Sequence, residues 1–299
     1  MTTRRDFLGY SAAAALAAAA PPGARADEPQ QMMTRAIPGT GESLAVFGLG
    51  NAKPFGAGDS ALTGQLLDIL LQRGGGFVDT SGRGRFTVGQ LMRQKQAHEQ
   101  LFLGTNVAGG TPQALRAEID AIRQAQGGGA LDLVFSREPS DLLARSDDYQ
   151  KLKQDGLARY VGVARSNEQF YPPIMDLMRA GAVDFIQINY SMLEPGAADE
   201  MLPLAQEKNI AVVVNRPFVN GRYFPLVSGR ELPDWAADFD CESWAQFSLK
   251  YILAHPAVNC VITETANPRH AIDNLGAGSG RLPDEATRRR MQNLIQEMA

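Results

Sequence analysis

Runs of four to eight apolar residues, bounded by Gly, Asp or Asn, recur along the chain. They are Leu44 to Leu49, Phe77 to Thr80, Leu101 to Val107, Leu131 to Phe135, Tyr160 to Val163, Phe185 to Ile188, Ala211 to Val214 and Cys260 to Thr263. Continuous apolarity over so few residues predicts strands buried on both faces. Between them the spacing changes to the helical period. In Thr111 to Gln126, Leu115, Ile119 and Ile122 fall on one face, and Ser243 to Ala254 carries Trp244, Phe247, Leu249, Tyr251 and Ile252. Eight such strand–helix units in about 250 residues fit one closed (β/α)8 barrel, an α/β TIM barrel. An open doubly wound sheet is the other way to arrange them. Its glycine-rich dinucleotide turn is missing, however, because Phe47-Gly48-Leu49-Gly50-Asn51-Ala52 lacks the third glycine. Gly75-Gly76 and Gly127-Gly128-Gly129 precede strands, so they read as helix stops rather than phosphate cradles. The long stretch from Gly221 to Asn259, containing Leu232-Pro233-Asp234-Trp235, predicts an excursion over one end of the barrel.

Residues 1–26 break the pattern. Paired arginines Arg4 and Arg5, an alanine-rich run from Ala12 to Ala20 and a small-x-small site at Ala24-Arg25-Ala26 predict a twin-arginine export signal, with the barrel occupying residues 27–299. The exported protein is then expected in the periplasm or outside the cell, carried there folded by the twin-arginine machinery. Removing the signal takes away three arginines and one aspartate, leaving 26 basic against 32 acidic side chains and a net charge of −6. With no basic tract, nucleic acid is not an expected partner, and no stable membrane association is expected after cleavage. Two cysteines occur, Cys241 and Cys260. Because this route carries folded proteins from a reducing compartment, folding should not depend on their pairing, and both are expected as free, buried thiols.

In such a barrel the reactive groups lie at the C-terminal ends of strands. The polar residues there are Gly50 and Asn51, Asp79, Asn106, Arg137, Arg165 and Ser166, Gln187 and Asn189, Asn215 and Arg216, and Glu264 and Thr265. His98, His255 and His270 have no spacing suited to joint metal ligation.

Phe77-Val-Asp-Thr-Ser81, Leu101-Phe-Leu-Gly-Thr-Asn106, Arg159-Tyr-Val-Gly-Val163, Phe185-Ile-Gln-Ile-Asn-Tyr-Ser191, Val214-Asn-Arg-Pro-Phe218 and Val261-Ile-Thr-Glu-Thr-Ala-Asn-Pro-Arg-His270 resemble, in order, strand motifs of the aldo/keto reductase family. The segment from Leu232 to Pro256 is similar to an exported subgroup of it. The resemblance implies a metal-free barrel that reduces carbonyls with NADPH through an Asp, a Tyr, a Lys and a His. Asp79 stands at the Asp position, but Asn106 replaces the lysine and Arg137 the histidine. The segment Gly82 to Gly89, read as a shortened loop, holds no tyrosine, and none occurs between Tyr10 and Tyr149. The resemblance also implies Gly50, Asn51, Gln187, Asn215, Pro217, Thr265 and Asn274 as cofactor-lining residues, with Ala164 and Arg165 in place of an amide-binding Ser and Asn. Glu264 stands where a 2′-phosphate would be received and should repel it, which shifts the expectation from NADPH toward NADH or no nucleotide.

Asparagine carries no charge and a guanidinium keeps its proton at neutral pH, so the pocket is expected to hold no side chain able to protonate a newly reduced oxygen. Arg137 is expected to take over as the ion-pair partner of Asp79, the two with Asn106 forming a remodelled catalytic floor. Three functions remain open at this point: a family member without the standard reductase activity, a pseudoenzyme; an NAD(P)-linked oxidoreductase with a different proton donor; and a periplasmic binding protein for a small anionic ligand. The last requires Arg83, Arg85 and Arg165 to converge with Arg137 on the mouth rather than serve as solvated loop charges.

Overall fold

The computed structural model describes residues 31–299; the expected export segment lies outside the described residues. The chain opens with an antiparallel hairpin of β1 (Thr34–Ala36) and β2 (Ser43–Ala45). Eight parallel strands follow: β3 (Phe47–Leu49), β4 (Gly76–Thr80), β5 (Leu101–Val107), β6 (Leu131–Ser136), β7 (Ala158–Ala164), β8 (Phe185–Asn189), β9 (Ala211–Asn215) and β10 (Cys260–Thr263). They form a closed barrel in chain order, with β10 closing on β3 through Val261 opposite Phe47 and Thr263 opposite Leu49. All eight predicted strands are present. The first run, however, divides at Val46, whose N–H bonds to Met33 O and whose carbonyl receives Val261 N–H. Leu44 therefore belongs to the hairpin and only Phe47–Leu49 to the barrel.

Strand alternation sorts the core into two layers. Phe77, Leu133, Phe135, Phe185, Val213 and Ile262 fill the barrel interior, joined by Ile37 and Leu44, so the hairpin plugs the N-terminal end. Space for the phenylalanines comes from glycine: a Cβ on Gly104 would sit 2.4 Å from the Phe77 ring, and one on Gly162 would sit 2.8 Å from Phe135. The plug is fastened by Asn259, whose Oδ1 accepts from Val212 N at 2.8 Å while its Nδ2 donates to Ala36 O at 2.9 Å.

Outside lie the helices. Pro112–Gln126 starts where the Thr111 side chain accepts from Ala114 N and ends at Gly127 with φ +97°. Helix Trp244–Leu253 is buried from Ala245 to Leu253. Its Lys250 ammonium is fully enclosed and donates to Ser279 O at 2.7 Å and Arg281 O at 2.9 Å. The Gly221–Asn259 segment differs from the expected cover. Trp235 within it lies under the Arg290 guanidinium of the C-terminal helix Glu285–Met298, and Trp244–Leu253 serves as a regular member of the helical ring beside β10. Cys241 and Cys260 are free and buried.

Candidate active site

The inward alternation of the strands places Asp79, Asn106, Gln187, Asn189 and Asn215 at their C-terminal ends, all buried. Asp79 ends the inward face of β4 above Phe77 and keeps 7% of its surface open. Its Oδ1 accepts from Asn106 Nδ2 at 2.7 Å, and the same amide donates to Thr80 O at 3.1 Å. Its Oδ2 makes no well-formed hydrogen bond among the described residues, although the Gln187 amide lies close enough to act on the carboxyl. Burial pushes the Asp79 carboxyl up to about 7, with a further upward push from the negative charge of Glu264. The Asn106 and Gln187 amides and the more distant Arg137 charge pull the other way without overcoming the loss of water.

One expectation is corrected here. Arg137 is exposed and forms no ion pair with Asp79; among the described residues it has no hydrogen-bond partner at all. It acts on Asp79 and on Glu264 only through its field. A buried carboxyl without a contacting cation lowers its cost by holding a proton.

The segment after β4 is not a loop either. Helix Gly84–Gln94 begins at once, with Gly84 N–H on Ser81 O. Two tyrosine hydroxyls lie near C-terminal strand ends, that of Tyr171 at Asn189 and that of Tyr149, buried without a well-formed partner among the described residues, near Gly109. Tyr160 sits at the plugged end with its hydroxyl on Glu42, Tyr171 donates to Asn189 O at 2.8 Å, and His98 meets Gln126 O. None of them is among the groups that set the charge of Asp79.

Of the four arginines expected to converge on the mouth, Arg83 and Arg137 are exposed without an ion pair among the described residues, whereas the other two are paired. Arg85 pairs with Glu118 at 2.5 Å and donates to Asn106 O, Arg165 pairs with Glu138 at 2.7 Å beneath Phe170, and Arg216 pairs with Glu194 at 3.2 Å. Each carboxylate comes from a helix or a distant loop, which spacing along the chain did not reveal.

Several proposed cofactor residues keep polar atoms open. Gln187 Nε2 and Asn215 Oδ1 are buried without well-formed partners, as is Asn51 Oδ1, while Asn51 Nδ2 donates to Ser81 Oγ at 2.7 Å and Asn215 Nδ2 to Arg165 O at 2.9 Å. Buried polar atoms left open at a barrel mouth fit a polar ligand such as a nicotinamide amide. Gly50 is required for a different reason: a Cβ there would sit 2.7 Å from Glu264 Cγ, so the glutamate crosses over it. Glu264 thus lies close enough to Asp79 and Arg137 for their charges to act on one another. Thr265 forms a turn with Asn267 at the head of helix Pro268–Gly276, and Pro217 O receives Ser248 Oγ at 2.9 Å. Asn274 is buried with its Nδ2 on Thr263 Oγ1. Among the described residues no group of three His, Cys, Asp or Glu side chains is placed to hold a metal.

The sequence model of the Aldo/keto reductase family matches residues 48–292. The chain is 26% identical over 117 residues to an NADH-specific methylglyoxal reductase of Escherichia coli, and 25% identical over 156 residues to an uncharacterized oxidoreductase, YqkF, of Bacillus subtilis. These matches span 37% and 44% of this chain and only 35% and 49% of those proteins. Among solved structures, the holo form of the aldo-keto reductase AKR11C1 from Bacillus halodurans superposes with a TM-score of 0.71 at 21% identity, covering 90% of this chain and 97% of that one. An aldo/keto reductase from Klebsiella pneumoniae in complex with NADP and acetate gives 0.65 at 18%, covering 85% and 92%. The chain belongs to the aldo/keto reductase family.

Proposed function

We propose that the protein is an NAD(P)-linked oxidoreductase that does not use the family's Tyr–Lys–His route of proton transfer. The observation that carries this reading is the pair of buried polar atoms without well-formed partners at the strand ends, Gln187 Nε2 and Asn215 Oδ1. Gln187 and Asn215 would hold the nicotinamide amide and Asn51 would line its edge; the bound nucleotide would supply hydride. The absence of the standard proton route rests on Asn106 and Arg137 at two tetrad positions and on a helix that begins at Gly84, where the tyrosine-bearing loop would lie. NADP in the Klebsiella neighbour and NADH specificity in the Escherichia coli relative leave both nucleotides as ligands to test. The alternative, a binding protein for small anions, is weakened at Arg85 and Arg165, which pair with Glu118 and Glu138, and rests on Arg83 and Arg137, which are exposed and have no ion-pair partner among the described residues.

Titration of the purified protein with NADH and NADPH, followed by nicotinamide fluorescence, should show saturable binding of at least one. Gln187→Ala should weaken it by roughly tenfold, the worth of one hydrogen bond in a dry site. No saturable binding of either nucleotide would overturn the reading. The same proposal has residues 1–26 deliver the folded protein across the membrane; replacing both Arg4 and Arg5 by Lys should leave it in the cytoplasmic fraction.

A further inference from the structure

The proposed function leaves open where the proton comes from. Asp79 lies inside the barrel mouth, with Oδ1 fixed by Asn106 at 2.7 Å and Oδ2 without a well-formed hydrogen bond among the described residues. No cation hydrogen-bonds to it among the described residues, and Arg137 acts only through its field. Glu264, from the neighbouring β10 side, adds a second negative charge over Gly50. No phenol or imidazole among the described residues faces this carboxyl.

We propose that Asp79 is the catalytic proton donor of this barrel, a carboxylic acid whose Oδ2 proton passes to the oxygen of an aldehyde or ketone as the carbonyl carbon receives hydride. In this step a C–H bond forms at the carbonyl carbon and the C=O π pair moves onto oxygen. The O–H bond of the carboxyl breaks as the alcohol O–H forms. The carbonyl is reduced by two electrons to the alcohol, the nicotinamide nucleotide is oxidised by two, and the Asp79 carboxylate regains its proton from water. Asn106 is a positioning residue: its amide donates to Oδ1 and so leaves the proton on Oδ2, the oxygen that lies open. A lysine in its place would ionise the carboxyl and remove the acid. Arg137 and Glu264 are the charged groups that bias the titration, in opposite directions. The upward displacement of the Asp79 titration to about 7 matches an acid that works near neutral pH.

The inference rests on the proposed nucleotide binding, and its test separates the two. Carboxyl carbon NMR of protein labelled at aspartate, with the Asp79 signal assigned by its loss in Asp79→Asn, should show Asp79 largely protonated at pH 6 and titrating near neutrality. Asn106→Lys should lower that titration by one to three pH units, the usual effect of a contacting cation. With nucleotide bound, reduction of a panel of aldehydes and ketones should fall as pH rises through about 7 in the wild type. It should drop at least ~100-fold in Asp79→Asn without a change in nucleotide affinity. Nucleotide binding together with an Asp79 that is fully ionised at pH 6 overturns this inference alone. So does undiminished turnover in Asp79→Asn, or no turnover of any carbonyl by the nucleotide-loaded wild type. Failure of both nucleotides to bind overturns the proposed function and this inference with it.

Discussion

At the residue scale, the pocket shows how one missing charge changes the chemistry of its neighbour. Where a lysine would hold Asp79 as a carboxylate, Asn106 offers a neutral amide, and burial then decides the titration. The consequence for stability has a definite sign. Unfolded, Asp79 titrates near 4; folded, it titrates at about 7. Between those values the folded state binds more protons than the unfolded state, so stability falls as pH rises through that window. Asp79 alone contributes a loss of up to about 4 kcal/mol. Asp132, pushed up to about 6 by burial, adds a slope of the same sign. Asp79→Asn should therefore flatten, though not abolish, the decline in urea-denaturation stability between pH 5 and 8, and should be more stable than the wild type at pH 8. Parallel curves for the two proteins would show that Asp79 is an ordinary ionised carboxylate. Glu264→Gln, by removing a like charge, should lower the Asp79 titration, the opposite of what Arg137→Gln should do.

At the scale of single elements, the barrel is held in register by small numbers of specific contacts. Asn259 is the example with the largest expected effect. It satisfies two buried backbone groups, one on β9 and one on the plug hairpin. Asn259→Ala leaves both unpaired and should cost roughly 2–5 kcal/mol in denaturant melts, since each orphaned group costs ~1–3 kcal/mol. Gly104→Ala should be destabilising by ~1–3 kcal/mol through overpacking, its methyl lying 2.4 Å from the Phe77 ring. Strands and most helices were legible from apolar period alone, because each barrel strand is buried on both faces and a helix such as Pro112–Gln126 on one. Thr111 and Gly127, at the two ends of Pro112–Gln126, were legible from residue type. The division of the first run at Val46 was not, because both of its halves are apolar and the break is made by partners at Met33 and Val261, far apart in sequence. The same holds for the site. Strand-end positions located Asp79, Asn106, Gln187 and Asn215, but not the neutralisation of Arg85, Arg165 and Arg216, which depends on carboxylates brought in by tertiary packing. The solvent-facing pose of Arg137 was hidden for a related reason: a long side chain at a strand end has room to turn either way.

At the scale of the whole molecule, two thiols sample two separate regions of the core. Cys260 lies inside the barrel with Phe185 and Val213, whereas Cys241 lies in the outer layer between strands and helices. Burial pushes the Cys241 thiol up to about 12 and displaces that of Cys260 upward as well, so neither is a thiolate at neutral pH. Neither is thereby a nucleophile in the folded protein, and with no bridge between them the reduced chain already has its full set of stabilising contacts. Stability so built does not change with the redox state of the compartment. Reductant should accordingly leave the thermal midpoint of the protein unchanged. Labelling with a small aromatic disulfide at neutral pH should be slow for both residues and should proceed at one common rate, because inner and outer layers share the same strands and open together. Rapid modification of Cys241 in the native protein, with Cys260 still protected, would mean that the outer layer around Trp235 and Phe247 opens independently of the barrel. In that case the segment between β9 and β10 would be a separate cooperative unit.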